Sequence, residues 1–182
     1  MEVKRLRRLI KVLEGVERAR LPFDLDVWGR ATDAEGNDPW EDGTPISEAC
    51  GTVCCAVGYG ALDRRLRAEG LKMIVNADGV MHEVSTVGAF NRILRSTQKN
   101  TPAGESAYFY ALIKYGPHTD WDAVGAFFGL NHGLAQSLFL ADSYPKHKAT
   151  PRDVIRRIEA LIAEHEGKIA PAEQTAQAQA PA

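Results

Sequence analysis

The chain has 182 residues, enough for one domain with a real core, and its 45% hydrophobic and 25% charged content is that of an ordinary globular protein. A formal net charge of −2 excludes a global pull toward nucleic acid or anionic lipid. No apolar run reaches the length that crosses a bilayer. The opening MEVKRLRRLIKVLEG lacks the apolar stretch and cleavage site of a secretory leader. Three cysteines, two of them adjacent, do not form a secreted disulfide framework, so reduced thiols in the cytoplasm are expected.

Glu2–Arg18 reads as an amphipathic helix. Val3, Leu6, Leu9, Ile10, Leu13 and Val16 form its apolar stripe, and Lys4, Arg5, Arg7, Arg8 and Lys11 its basic face. Met1–Arg20 carries a local charge of +4, leaving −6 for the remainder. Pro22 ends this element, and Phe23–Trp28 alternates apolar and polar like a short strand or extended anchor. Gly29–Gly43 is rich in turn formers. From Asp33 to Glu48 there are six acids and no base, yet the ligand order of a calcium-binding EF-hand loop is absent.

Thr44-Pro45 supplies a cap and a first-turn proline. A helix is predicted from there through Cys50-Gly51-Thr52-Val53-Cys54-Cys55-Ala56-Val57-Gly58-Tyr59-Gly60-Ala61 to Ala68. This uncharged segment holds all three cysteines. Its glycines each lower helix propensity by about 1 kcal/mol against alanine, so it is helical only where close packing repays that loss. It is therefore read as the buried central helix.

Leu71–Val75 and Val80–Val84, around Asn76-Ala77-Asp78-Gly79, form the clearest β signal, a hairpin. A lone hairpin is marginal in water and calls for helices or a third strand, for which Phe23–Val27 is a candidate. Everything later reads as helix: Thr86–Arg95 capped by Ser85, Glu105–Tyr115, Trp121–Phe128, and His132–Leu140 capped by Asn131. A last helix opens at Thr150-Pro151 and closes at Gly167. Residues 1–169 are read as one globular domain. The remaining Ala170–Ala182 (APAEQTAQAQAPA) is read as a disordered tail. The fold class is α+β, mainly helical, with a small antiparallel hairpin on the Gly/Cys helix.

One enzymatic alternative is a thiol nucleophile, Cys54 or Cys50 near a helix start, with His82 as base and Asn91 or Asp78 orienting it. That order resembles papain-like enzymes, but one extra residue separates the cysteines and the histidine follows far too soon. Free cysteines more often act as small buried hydrophobes. Cys50 and Cys54 also have the spacing of two zinc ligands on a helix, but no second tight Cys/His pair follows, so neither a metal nor another cofactor is expected. Trp121–Leu140 has the outline of a helix-turn-helix, the second alternative. Its second helix offers only His132 and Gln136 to bases and no cation to phosphates, so nucleic acid is not an expected partner.

Phe23-Asp24…Trp28, Cys50-Gly51-Thr52…Cys55…Gly58 and Phe128-Gly129-Leu130…Leu138-Phe139…Tyr144…Thr150…Val154 resemble a family of small uncharacterised bacterial and phage-encoded proteins built around CGTxxCxxG. The likeness implies an intracellular, prophage or phage origin, and brings no activity to transfer. The expected function is non-enzymatic: an accessory or protein-interaction module whose partner is another protein. Lys4, Arg5, Arg7, Arg8 and Lys11 are its candidate contact surface.

Overall fold

The computed structural model describes residues 1–28, 30–32, 51–77, 79–100 and 109–178. The fold is α+β and mainly helical, with a four-stranded antiparallel sheet. Helix α1 spans Val3–Ala19, and Leu6, Leu9, Leu13 and Val16 of its stripe are buried. It lies against the last helix, α7 (Pro151–Ala178), which buries Val154, Ile155, Ile158 and Ile162. The ion pairs Arg7–Glu166 and Arg152–Glu17 set the two helices antiparallel.

The Gly/Cys segment departs from the predicted continuous helix. Gly51–Val53 is a strand, β2, paired antiparallel with β1 (Arg30–Thr32). Helix α2 begins only at Ala56 and ends at Leu62, and α3 follows over Arg64–Ala68. Two caps explain these boundaries. Cys55, in extended backbone, accepts the Gly58 N–H on its Sγ at 3.2 Å. Asp63, also extended, accepts the Arg65 and Leu66 N–H groups and restarts the helix on a new axis. The predicted start at Thr44-Pro45, Cys50, Asp78 and the acidic loop of residues 33–48 lie outside the described residues.

The segment is central, as its composition implies. Residues 54–61 are all buried. A Cβ on Gly58 would overlap the carbonyl oxygen of Trp28, so no other residue fits there without moving backbone. The same stretch holds Phe23–Trp28 by three further contacts. The Asp24 N–H donates to Cys54 O (3.4 Å), the Cys55 N–H to Val27 O (2.9 Å), and the Tyr59 hydroxyl to Pro22 O (2.5 Å).

The sheet order is β4-β3-β5-β6, from β3 (Lys72–Ala77), β4 (Val80–Val84), β5 (Phe109–Tyr115) and β6 (His118–Thr119). The predicted hairpin is present, with Asn76↔Met81 and Val75↔His82 in register. Its third strand is β5, not Phe23–Val27, which makes only an isolated parallel bridge from Phe23 to Cys54. Phe109–Tyr115 was predicted helical; instead Ile113 enters the core opposite Met73, while Lys114 points to solvent beside Lys72. On β3, Met73, Val75 and Ala77 are buried, and the strand packs on α2.

Between the strands, α4 runs Val87–Asn100, five residues beyond its predicted end, and Thr86 rather than Ser85 caps it through the Ala89 N–H. Helix α5 (Asp120–Phe128) ends at Gly129 in left-handed backbone, and Asn131 caps α6 (His132–Phe139), as predicted. Helix α7 continues through Gly167, where the sequence reading closed it, to Ala178. It thereby takes in Ala170–Ala178 of the segment read as a disordered tail, where alanine and glutamine favour helix and Pro171 opposes it. No helix among the described residues is long and apolar enough to cross a membrane.

The two helical glycines of α2 differ in what faces them. Gly58 meets backbone, whereas Gly60 meets the end of the Leu9 side chain at 3.0 Å. Gly58→Ala is expected to destabilise by about 2–4 kcal/mol and Gly60→Ala by under about 1.5 kcal/mol, read as urea-unfolding midpoints.

Candidate functional site

Cys54 is 0% and Cys55 1% exposed. Burial pushes both thiols up, Cys54 well above its ordinary value and Cys55 to about 12, the latter against the Gly58 N–H that favours its thiolate. Neither sulfur lies at an open surface, and Cys55, not Cys54, occupies the helix N-cap. His82, the proposed base, is half-buried on β4, opposite Val75. Asn91 is on α4. Among the described residues no histidine hydrogen-bonds to either thiol, and no group of three His, Cys, Asp or Glu side chains could hold a metal. Cys50 and Asp78 stand outside the described residues.

The basic face of α1 divides into cations engaged within the fold and cations left at its surface. Arg5 donates to Glu69 (2.7 Å) and to Phe127 O (2.6 Å), with its guanidinium 4.4 Å from the Phe127 ring centre. It thereby caps the carbonyl end of α5, next to where the Glu2 N–H meets Phe128 O. Arg8 binds both carboxylate oxygens of Asp63, at 3.0 and 2.5 Å. Arg7 pairs with Glu166 (2.7 Å) on the exposed side. Lys4 and Lys11 are exposed, with no ion-pair partner among the described residues. Arg5 and Arg8 are therefore tertiary clamps, a role that helical periodicity along α1 cannot reveal, because Glu69 and Asp63 lie more than fifty residues away.

An open cavity of about 530 Å³ lies between Pro22–Asp26 and His147–Thr150, with Asp153 at its edge. Its polar groups are largely occupied. Thr150 caps α7, its hydroxyl accepting the Asp153 N–H while the Asp153 carboxylate accepts from the Thr150 N–H and hydroxyl, and His147 lies 3.0 Å from Asp142. Lys146 and His147 adopt left-handed backbone there, at φ 60° and 53°. A second groove, about 370 Å³, runs between α1 and α7 over a floor of Ile10, Ile162 and Ala163.

The pair α5–α6 does form a helix-glycine-helix unit. The exposed residues of α6, His132, Gly133, Leu134 and Ser137, include no lysine or arginine. Arg157 from α7 approaches the unit but stacks 3.6 Å over Tyr144 and donates to Ser143 O and Ser137 O. The carboxyl of Asp120, at the first residue of α5, is pushed up by burial against hydrogen bonds from the Ile113 N–H and the Trp28 side chain. It thus satisfies a β5 edge donor and anchors Trp28, whose ring packs 5.0 Å from that of Trp121.

No family model matches the chain, and neither a curated protein nor a solved structure was found to match it.

Burial raises the Asp63 carboxyl, but the Arg8 guanidinium and the Leu66 and Arg65 N–H groups outweigh it and hold the group below its ordinary 3.8. A carboxylate with a lowered folded pKa contributes stability that is complete above its unfolded value and is lost as pH falls through the folded one. The wild type is therefore expected to lose this contribution below about pH 4. Asp63→Asn should cost about 1–3 kcal/mol at neutral pH and flatten that part of the acid limb, measured by urea unfolding across pH.

Proposed function

We propose that the protein is a non-enzymatic accessory or interaction module that works in the cytoplasm through its surface and binds another protein. One observation carries this reading: the two described thiols sit inside the fold, where burial disfavours the thiolate, so the sulfur-bearing segment serves packing rather than nucleophilic chemistry. The charged groups divide in the same sense. Arg5, Arg8 and Arg157 bind groups of the fold itself, whereas Lys4, Lys11, Glu14 and Glu159 stand exposed on α1 and α7 with no ion-pair partner among the described residues.

Native-state alkylation with iodoacetamide, followed by peptide mapping, tests this reading at neutral pH. Cys54 and Cys55 are expected to label at least about a hundredfold more slowly than in the urea-unfolded chain, and His82→Ala should leave the pattern unchanged. Rapid labelling of any of the three cysteines, slowed by His82→Ala, would replace it with the cysteine hydrolase or transferase reading.

A further inference from the structure

Strand β4 is an outer strand of the sheet, and among the described residues no strand pairs with its other side. The hairpin fixes which backbone groups point that way. Its two-residue turn makes Ala77↔Val80 a hydrogen-bonded pair, and Val75↔His82 and Met73↔Val84 are then hydrogen-bonded as well. The alternate residues, Met81 and Glu83, therefore aim their N–H and C=O groups at the open edge. Proline, lysine and bulges keep many sheet edges from pairing, and β4 has none of them. The opposite edge strand, β6, is only two residues long. Apolar surface gathers at the same place. Val80 is 55% and Met81 51% exposed. Tyr110, also exposed, lies on the Met81 face of the sheet, across Asn76.

We infer that this edge is a self-association surface, on which β4 of a second copy pairs antiparallel about a two-fold axis at His82. The symmetry of the edge selects that partner. Met81 and Glu83 flank His82, so the axis sets Met81 of each copy opposite Glu83 of the other. Every outward backbone group of both strands is then bonded, with no overhang. The side chains suit the same register. Val80, exposed at the hairpin tip, comes opposite Val84, which belongs to the core. Met81 comes opposite Glu83, whose carboxylate is already held by Lys72 and Arg67 of its own copy at 2.7 and 2.9 Å. The methionine thus meets the methylene stem of the acid and not a bare charge. The half-buried His82 rings meet at the axis, and the two sheets become one. The inference rests on the reading of the protein as an interaction module and names its partner and surface.

Sedimentation velocity on the full chain over a concentration series reaching about 0.5 mM tests it. The wild type is expected to form a concentration-dependent dimer. Met81→Glu and Met81→Lys remove the same apolar surface at an exposed position, and only the register separates them. Met81→Glu sets like charges opposite each other at two symmetric places and should weaken association by about tenfold or more. Met81→Lys faces Glu83 of the other copy and should associate at least about tenfold more tightly than Met81→Glu. Met81→Pro removes an N–H that bonds nothing within the hairpin, so it should abolish the dimer while the His82 and Val84 amides stay protected from hydrogen exchange. A wild type that stays monomeric would leave the edge to a strand of a different protein and overturn the inference. Equal association of the Met81→Glu and Met81→Lys chains, or a Met81→Pro chain that dimerises as the wild type does, would overturn it too. A monomeric wild type with slowly labelling thiols removes only the self-association. Rapid, His82-dependent labelling removes the interaction reading itself, whatever the sedimentation shows.

Discussion

The carbonyl of Trp28 rests on the bare Cα of Gly58, and much of the molecule's interior follows from that approach. Only a residue without a side chain lets the backbone of a strap lie directly on a helix. Once there, the strap reaches the backbone of Cys54 and Cys55 and the hydroxyl of Tyr59, each of which gives or takes a hydrogen bond. The strap then positions Trp28 against Trp121 and hands its indole donor to Asp120, which ties the segment to the start of α5. One close contact thereby links the N-terminal third of the chain to the helices that follow the sheet.

The cysteines belong to the same arrangement. A thiol is small enough for the crowded interior around α2, and its sulfur still accepts the N–H that a helix start leaves orphaned. A serine would cap more strongly but would bring a hydroxyl into an apolar site, where each unmade hydrogen bond costs about 1–3 kcal/mol. The burial that suits the sulfur to this role also raises its pKa. Packing and thiolate reactivity therefore oppose each other in this segment.

The legible parts of the sequence were those in which one residue type does one local job. The stripe of α1, the Asn131 cap, Gly129 and the Thr150-Pro151 start are local signals, and each appears where the residues put it. The β3–β4 hairpin was legible for the same reason. Phe109–Tyr115 was not, because six apolar or aromatic residues interrupted only by Lys114 suit either a helix or a strand, and only the open edge of β3 decides between them. The break between Gly51–Val53 and α2 was hidden because a cysteine cap resembles any other small residue. Likewise, Arg5 and Arg8 looked like surface cations until the fold brought Glu69 and Asp63 to them. The helical spacing of residues within α1 holds no information about partners so far away along the chain.

The account's central claim is that residues 54–61 form a closed keel holding the Phe23–Trp28 strap, and the amides buried at that contact report on it directly. Hydrogen exchange at the Cys55 N–H, which donates to Val27 O, and at the Gly58 N–H, which donates to the Cys55 sulfur, is the measurement. Both should exchange only through global unfolding, as slowly as the Leu9 and Leu13 amides of α1. Exchange at the rate of exposed backbone, with the α1 amides still protected, would contradict the claim.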